Sequence, residues 1–280
     1  STTANGLYKV GAVIDVTVTF NENIAVTTGA GVPTLLLETG ATDQTARYLS
    51  ASGAVATFRY TVVDGDVTAD LNFVSTASLV LNGGAIRDTA GNAANLTLMA
   101  PAATGSLAAN AAIAVDTVAP VAPTSLALTP VGGVVRANKL TATNTNLTAS
   151  ATVVAGDATG GTATLYLDGV AIATDASIAS GDVAVTFDLG KTTTAQMQAA
   201  VTAGGVLTVR VADVAGNESL ASTGVTLAID YAVPTIALTS SRTTVLTGQT
   251  ATITATLSES TSDFAVGDIS VVGGTVSGFA

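Results

Sequence analysis

The chain lacks three residue types that carry much of protein chemistry: its 280 residues include no Cys, no His and no Trp. Without His, a Ser-His-Asp or Cys-His nucleophile pair and an imidazole proton shuttle are excluded. Without Cys and His, zinc, copper, haem and iron–sulfur sites lose their usual ligands, and disulfides cannot form. The remaining donors are carboxylate, amide, hydroxyl and carbonyl oxygens, which are the ligands that calcium prefers.

Charge is also scarce, since charged residues make up 10% of the chain and the formal net charge is -11. Binding to nucleic acid or to an anionic membrane surface requires clustered Lys and Arg, so neither partner is expected. No apolar run reaches the roughly 18 residues of a membrane span, so membrane insertion is not expected. The carboxylates lie mainly in turns and aromatic residues make up only 4%. We therefore predict that the protein is not an enzyme.

The residues that are present alternate between β-branched apolar and polar types over short stretches, which is typical of half-buried strands. These stretches are 13–20, 54–62, 162–167, 183–187, 206–211 and 250–257. Gly, Asp and Asn dipeptides between them mark tight turns. The pattern predicts an all-β fold of β-sandwiches. Residues 193–203 are rich in Ala and Gln, and they favour a short helical turn over an irregular loop.

Two sequence motifs recur along the chain. The Asp-x-Ala-Gly-Asn motif occurs at 88–92 and 213–217, and an acidic-then-Pro step occurs at 114–120 and 228–234. The spacing of the second motif is close to the roughly 100 residues of an Ig-like sandwich. We predict modules at 1–116, 117–232 and 233–280. Because the junctions carry Pro rather than long Gly/Ser linkers, an extended rod is expected.

The third predicted module is too short to close a sandwich, and it would expose an unpaired strand edge. We expect that the chain is a piece of a longer protein. The alternative is that a neighbouring chain supplies the missing strands.

Taken together, these motifs resemble bacterial Ig-like repeats of large surface adhesins and RTX-type biofilm-associated proteins. In module one the resemblance rests on residues 8–11, 16–22, 81–84, 88–92, 105–107 and 116–117. In module three it rests on residues 251–259, 263–264 and 273–279, and in module two on residues 213–217 and 230. The resemblance implies extracellular tandem modules at the bacterial cell surface. Such modules act as spacers and are often stiffened by calcium.

The order of strands in an Ig-like sandwich predicts where the acidic residues lie. The loop after the second strand and the loop before the last strand share the pole at which the chain enters, which we call the upstream pole. If 13–20 is the second strand, Glu22, Asp88 and Asn92 gather at the upstream pole of module one. Asp116 would meet the corresponding residues of module two at the first junction, and Asp230 would meet Glu259 at the second. The residues expected at the first junction are Asp116, Asp157, Asp213 and Asn217.

Calcium takes six to eight oxygen ligands in irregular geometry, so each junction is a candidate calcium site. The alternative is turn chemistry, because Asp and Asn side chains commonly bond nearby backbone amides. Asp64-Gly65-Asp66 resembles part of a calcium loop, but we interpret it as a plain turn.

The leading functional interpretation is a calcium-stiffened spacer, whose partners are the neighbouring modules of its own chain. A second interpretation is a subunit of a surface layer or extracellular filament, whose partners are other copies of the chain. A third is a module that binds a glycan or host protein, which an exposed aromatic cluster would indicate.

Overall fold

The computed structural model describes residues 1–190, 205–261 and 264–279. Its regular secondary structure is almost entirely strand, so the all-β prediction is confirmed. The strands form several small sheets that agree with Ig-like sandwich modules. The helical turn predicted at 193–203 lies outside the described residues. No helix in the described part of the chain has the length and apolar character needed to cross a membrane.

The first sandwich contains eleven strands and one short helix. They are β1 (Gly6–Tyr8), β2 (Val13–Thr19), β3 (Ile24–Thr27), β4 (Thr34–Glu38), β5 (Gln44–Ser52), β6 (Val55–Thr61), β7 (Val67–Thr68), β8 (Asn72–Phe73), β9 (Leu79–Val80), β10 (Ala85–Asp88), α1 (Leu107–Asn110) and β11 (Ile113–Asp116). The largest sheet has the order β2-β6-β5-β4-β8, with β9 paired to β4. The smaller sheets are β1-β11-β7 and β10-β3.

Alternation along the strands builds the core of this sandwich. In β2, Ile14 and Val16 are buried while Asp15 and Thr17 are partly exposed, as a period of two requires. Phe58 of β6 is fully buried in the same cluster. Helix α1 adds Leu107 to this core, and it begins after Ser106, whose hydroxyl accepts a hydrogen bond from the Ala109 amide at 3.3 Å.

The second sandwich repeats the plan with its own core. Its strands are β12 (Thr124–Val131), β13 (Lys139–Thr141), β14 (Asn146–Thr152), β15 (Thr162–Leu167), β16 (Val170–Asp175), β17 (Ala184–Asp188), β18 (Val206–Ala212), β19 (Val225–Thr226) and β20 (Ala228–Asp230). They form the sheets β12-β14-β17, β16-β15-β18-β19 and β13-β20. The buried cluster runs from Leu126 to Leu227 and includes no residue of the first sandwich. The module boundaries stay a prediction with which these separate cores agree.

Both sandwiches pair an early strand with the last strand in parallel. In the first, β1 pairs with β11 and Tyr8 lies opposite Val115. In the second, β13 pairs with β20 and Thr141 lies opposite Asp230. The last strand of each sandwich therefore ends at the same pole as the early strand with which it pairs.

The remaining described residues contain the hairpin-like pair β21 (Ile236–Ser240) and β22 (Ile253–Leu257) and the 3-10 helix η1 (Val266–Asp268). All five residues of β21 are exposed. Among residues 231–261 and 264–279, no hydrogen bond or ion pair reaches either sandwich. The two strands bond to each other, with Ile236 opposite Leu257.

Candidate functional site

The first junction brings the end of module one against a loop of module two. Strand β11 ends at Asp116, and its backbone carbonyl accepts a 3.0 Å hydrogen bond from Nδ2 of Asn217. Asn217 is only 8% exposed at this contact. The equivalent Asn92 at the upstream pole of module one is exposed. The two modules therefore touch directly through the recurring motif.

The two Asp-x-Ala-Gly-Asn loops, residues 88–92 and 213–217, have the same internal geometry. Asp88 accepts hydrogen bonds from the backbone amide and Nδ2 of Asn92, at 2.8 and 2.7 Å. Asp213 accepts the same two bonds from Asn217, both at 2.9 Å. The glycine of each loop has positive φ, 96° and 82°, which only glycine adopts easily. The order of residue types that the two loops share is thus explained by turn formation, and the Asp carboxylates keep further lone pairs that these bonds do not use.

The hydrogen bonds within the first loop change the acidity of its carboxyl group. The Asn92 side chain, followed by the Asn92 backbone amide, lowers the pKa of Asp88 below its ordinary 3.8. Because this carboxylate is favoured in the folded state, the stability it provides is present above pH 3.8 and is lost as the pH falls through the lowered value.

Replacing Asn92 with alanine should therefore raise the pKa of Asp88 toward 3.8. Carboxyl carbon NMR during an acid titration measures this directly. Asn217→Ala is the matched control, since it removes the equivalent residue of the other loop and should leave Asp88 unchanged. An unchanged Asp88 titration in Asn92→Ala would show that the side-chain bond does not set the acidity.

Asp157 lies at the same junction, in the loop before β15. One of its carboxylate oxygens accepts a 2.6 Å hydrogen bond from the backbone amide of Val121, in the linker between the modules. The neighbouring Gly161 packs so closely on the second loop that an added Cβ would lie 2.9 Å from Cα of Asp213. The structure thus places Asp116, Asp157, Asp213 and Asn217 at one pole, as the strand order predicted.

A lysine at the first junction was missed by sequence reasoning. Nζ of Lys9, in the turn after β1, donates a 2.8 Å hydrogen bond to the carbonyl of Gly216. In the first loop the corresponding carbonyl, that of Gly91, accepts a 2.8 Å hydrogen bond from Nη1 of Arg87. Nothing near Lys9 in the sequence indicates this contact, because its partner lies 207 residues away.

The structural role of Asp66, the second Asp of the Asp64-Gly65-Asp66 motif, was also missed from the sequence. Asp66 is 1% exposed, and its carboxylate accepts hydrogen bonds from the Tyr60 hydroxyl, the Gln44 side-chain amide and the Val63 backbone amide. Its carbonyl accepts a 2.9 Å bond from the hydroxyl of Thr117, the first linker residue after β11. The motif is a turn, as predicted, and it also fixes the start of the linker.

The second junction is different. Asp230 forms a 3.1 Å ion pair with Nζ of Lys139 inside its own module. Glu259 follows β22, and within the described residues no hydrogen bond or ion pair joins it to Asp230. These two residues are therefore not brought together by direct contact.

At the upstream pole of module one, Glu22 is exposed in the bend between β2 and β3. Ile24 is two residues after Glu22, and it lies opposite Asp88 in the β10–β3 pair. Glu22, Asp88 and Asn92 therefore share this pole, as predicted.

Direct carboxylate clustering is weak throughout. Within residues 1–190, 205–261 and 264–279, no three side chains from His, Cys, Asp and Glu converge closely enough to hold a metal ion. A calcium ion at a junction would need backbone carbonyls, Asn amides and water for most of its ligands. Calcium binding by the nine predicted residues stays a prediction.

Comparison with known proteins gives one family match. Residues 230–280 match a family model described as a bacterial Ig-like domain. This confirms the resemblance in the part of the chain that contains β21 and β22. No curated protein sequence matches the chain.

Two solved structures are similar to the chain at low identity. One is described as a 1.5-MDa bacterial ice-binding adhesin, with 13% identity, a TM-score of 0.32, and coverage of 84% of this chain and 64% of that one. The other is a putative membrane anchored protein from Corynebacterium diphtheriae, with 11% identity, a TM-score of 0.25, and coverage of 91% and 62%. The chain spans a little under two thirds of the length of each.

Proposed function

We propose that the chain is a run of spacer repeats from a bacterial cell-surface adhesin, whose role is mechanical rather than catalytic. The observation that carries this proposal is the end-to-end contact at the first junction, where the carbonyl at the end of β11 binds Asn217 of the next sandwich. The match of residues 230–280 to a bacterial Ig-like domain supports the surface setting.

The linker between the two sandwiches supports a spacer role. Pro120 and Pro123 are both buried, and Thr117 is 8% exposed, so the connection is packed rather than free. Proline also fixes its own φ and keeps the preceding residue extended. A short packed linker limits bending, whereas a Gly/Ser linker behaves as a flexible coil.

Calcium is the proposed stiffening ion. Carboxylates that gather at one pole repel each other, and a bound divalent ion reverses that repulsion. The Asp88 and Asp213 carboxylates each accept two hydrogen bonds in a bent loop, which holds their remaining lone pairs in fixed directions. The proposed ligands are Asp116, Asp157, Asp213 and Asn217 at the first junction, Asp230 and Glu259 at the second, and Glu22, Asp88 and Asn92 at the upstream pole of module one.

Adding calcium to the full chain should lengthen the particle and raise its stability. At about 5 mM calcium and a dissociation constant of ~1 mM, typical of extracellular modules, linkage predicts about 1 kcal/mol per bound site. Small-angle scattering and thermal unfolding, with calcium and then with chelator, measure both effects.

A double variant tests whether the second junction contributes to the calcium response. Asp230→Asn combined with Glu259→Gln should remove the calcium response of the second junction. Asp43→Asn is the charge control, because Asp43 is exposed and makes no side-chain hydrogen bond among the described residues. Identical scattering curves and melting temperatures in calcium and chelator would overturn the calcium part of the proposal.

A second candidate function is assembly with other copies of the chain. The specific observation is that β21 and β22 form a two-stranded sheet with exposed apolar residues, among them Leu238 at 66% and Ile253 at 58%. Such a sheet can accept further strands at its edges. A particle mass that rises with concentration in the same scattering series would favour assembly over a monomeric spacer.

A further inference from the structure

We propose that Lys9 is a built-in cation that keeps the first junction docked without a metal ion. Lys9 belongs to module one, and its ammonium group binds a loop of module two that contains two of the proposed calcium ligands, Asp213 and Asn217. The inference goes beyond the proposed function, because this contact would fix the two sandwiches whether or not calcium stiffens the chain.

The contact is close and spans the two modules. Nζ of Lys9 lies 2.8 Å from the Gly216 carbonyl, and the Lys9 side chain also passes beside the glycine itself. A Cβ added at Gly216 would lie 3.2 Å from Nζ and 3.9 Å from Cδ and Cε. Glycine at this position therefore leaves room for the lysine as well as supplying the left-handed turn, with φ of 82°.

Charge favours a cation at this position. Among the described residues, the carboxylates at this pole accept hydrogen bonds from uncharged donors alone: Val118 N for Asp116, Val121 N for Asp157, and Asn217 for Asp213. Within the described part of the chain, none of these three carboxylates takes part in an ion pair. An ammonium group held at the same pole reduces their mutual repulsion, as a metal ion would.

The strand register explains why Lys9 reaches this place. Tyr8 pairs with Val115 in the parallel β1–β11 ladder, so Lys9 follows the ladder at the level of Asp116. Two further hydrogen bonds join module two to the end of module one or to the linker, those of Asn217 and Asp157. Together the three contacts involve the last strand, the turn after the first strand and the linker, and such a set resists bending in more than one direction.

At the second junction the nearby cation, Lys139, pairs with the exit Asp230 at 3.1 Å inside module two, and it makes no hydrogen bond or ion pair to residues 231–261 or 264–279. There the residue opposite the exit Asp230 is Thr141, and its hydroxyl bonds to Thr143 and Asn144 of its own module. In the described residues, no hydrogen bond or ion pair links module two to residues 231–261 and 264–279. The first junction is therefore expected to stay fixed in chelator, while the second is free to bend.

The absence of Cys from the chain allows the two junctions to be measured separately. Pairs of cysteines introduced at exposed strand positions carry spin labels for pulsed dipolar distance measurements on the full chain. Thr45→Cys with Thr174→Cys spans the first junction, and Thr174→Cys with Thr254→Cys spans the second. All samples contain chelator, and matched samples contain calcium.

In chelator, the first pair should give a narrow distance distribution. Lys9→Met keeps the length of the side chain but removes the charge, and it should raise the undocked fraction about fivefold, as expected for one exposed charged hydrogen bond. Lys9→Arg should keep the distribution narrow. Arg136→Met is the charge control, because the Arg136 side chain is exposed and makes no hydrogen bond or ion pair in the described residues.

A wild-type distribution that is broad in chelator, or a Lys9→Met distribution as narrow as the wild type, would overturn the proposal. The second spin-label pair tests calcium stiffening, because its distance distribution should narrow only when calcium is added. If calcium does not change the distance distribution of the second pair, calcium stiffening is contradicted and the conclusion on Lys9 is unaffected. Circular dichroism of Lys9→Met verifies that both sandwiches remain folded.

Discussion

Asp66→Ala should lower the free energy of unfolding of module one by about 3 kcal/mol, because it leaves three buried or partly buried donors without their acceptor. The donors are the Tyr60 hydroxyl at 2.5 Å, the Val63 amide at 2.9 Å and the Gln44 side-chain amide at 3.0 Å. Water does not replace the lost carboxylate easily, since Asp66 is 1% exposed and Tyr60 is 2% exposed. The hydrogen bond from Thr117 to the Asp66 carbonyl should weaken with it, which loosens the start of the linker.

Urea unfolding of the full chain measures the stability loss, with amide NMR signals of β6 assigning it to module one. Asp64→Ala is the matched control, because Asp64 is exposed, lies two residues away and makes no side-chain hydrogen bond in the described residues. It should change the free energy of unfolding by no more than about 0.5 kcal/mol. Equal stability losses in the two variants would show that the buried network contributes nothing.

The same variant should change the ionisation of Tyr60. Burial, and then the hydrogen bond to Asp66, raise the pKa of Tyr60 far above its ordinary 10.0. The neutral hydroxyl is favoured in the folded state, so the stability it provides is present below pH 10 and is lost as the pH rises beyond it. Phenolate absorbance during an alkaline titration should appear at lower pH in Asp66→Ala than in the wild type.

Gly161→Ala should destabilise module two by about 3 kcal/mol, the upper part of the range for overpacking. A Cβ at this position would lie 1.9 Å from the carbonyl oxygen of Ala212 and 2.9 Å from Cα of Asp213. Both atoms are backbone, so no side chain can turn aside to make room. Relief requires the start of β15 to separate from the end of β18, where Thr162 pairs with Ala212. The strain therefore falls on the loop that holds the first junction.

Thermal unfolding measures this loss, and the spin-label pair at Thr45 and Thr174 reports whether the loop still docks. Gly181→Ala is the control, because no atom lies within 4 Å of a Cβ added there and its φ is not in the left-handed region. We expect Gly181→Ala to change stability by no more than about 0.5 kcal/mol and Gly161→Ala to broaden the distance distribution. A Gly161→Ala protein as stable as Gly181→Ala would mean that the loop adjusts without cost.

The strands were predictable because burial on one face of a sheet imposes a period of two. The prediction at 162–167 coincides with β15, and that at 183–187 differs from β17 by one residue at each end. The prediction at 250–257 extends three residues before β22, because Thr and Ala continue the pattern beyond the hydrogen-bonded ladder. Alternation shows which residues suit a strand, whereas the partner strand decides where pairing stops.

For the candidate site, the sequence predicted which residues share a pole but not which side chains contact each other. Strand order was sufficient to place Asp116, Asp157, Asp213 and Asn217 at one pole. It could not show that Asn217 donates to a backbone carbonyl of Asp116, or that Lys9 contributes to module two. The burial of Asp66 was equally hidden, because an Asp-Gly-Asp turn looks the same in sequence whether its second carboxylate faces water or Tyr60. These contacts depend on side chains from distant parts of the chain.

The parallel pairing of β1 with β11 has a consequence for a chain under tension. A pull on the two ends of module one draws these strands in opposite directions along their common axis, so the hydrogen bonds between residues 6–8 and 113–115 are loaded in shear and must fail together. An antiparallel hairpin pulled from its open end would unzip one bond at a time. In module two the chain first passes through β12, which pairs antiparallel with β14, before it reaches the parallel β13–β20 pair. The β1–β11 pair thus gives the first sandwich a short mechanical clamp between its two ends, and its resistance is set by the unfolding rate rather than by equilibrium stability.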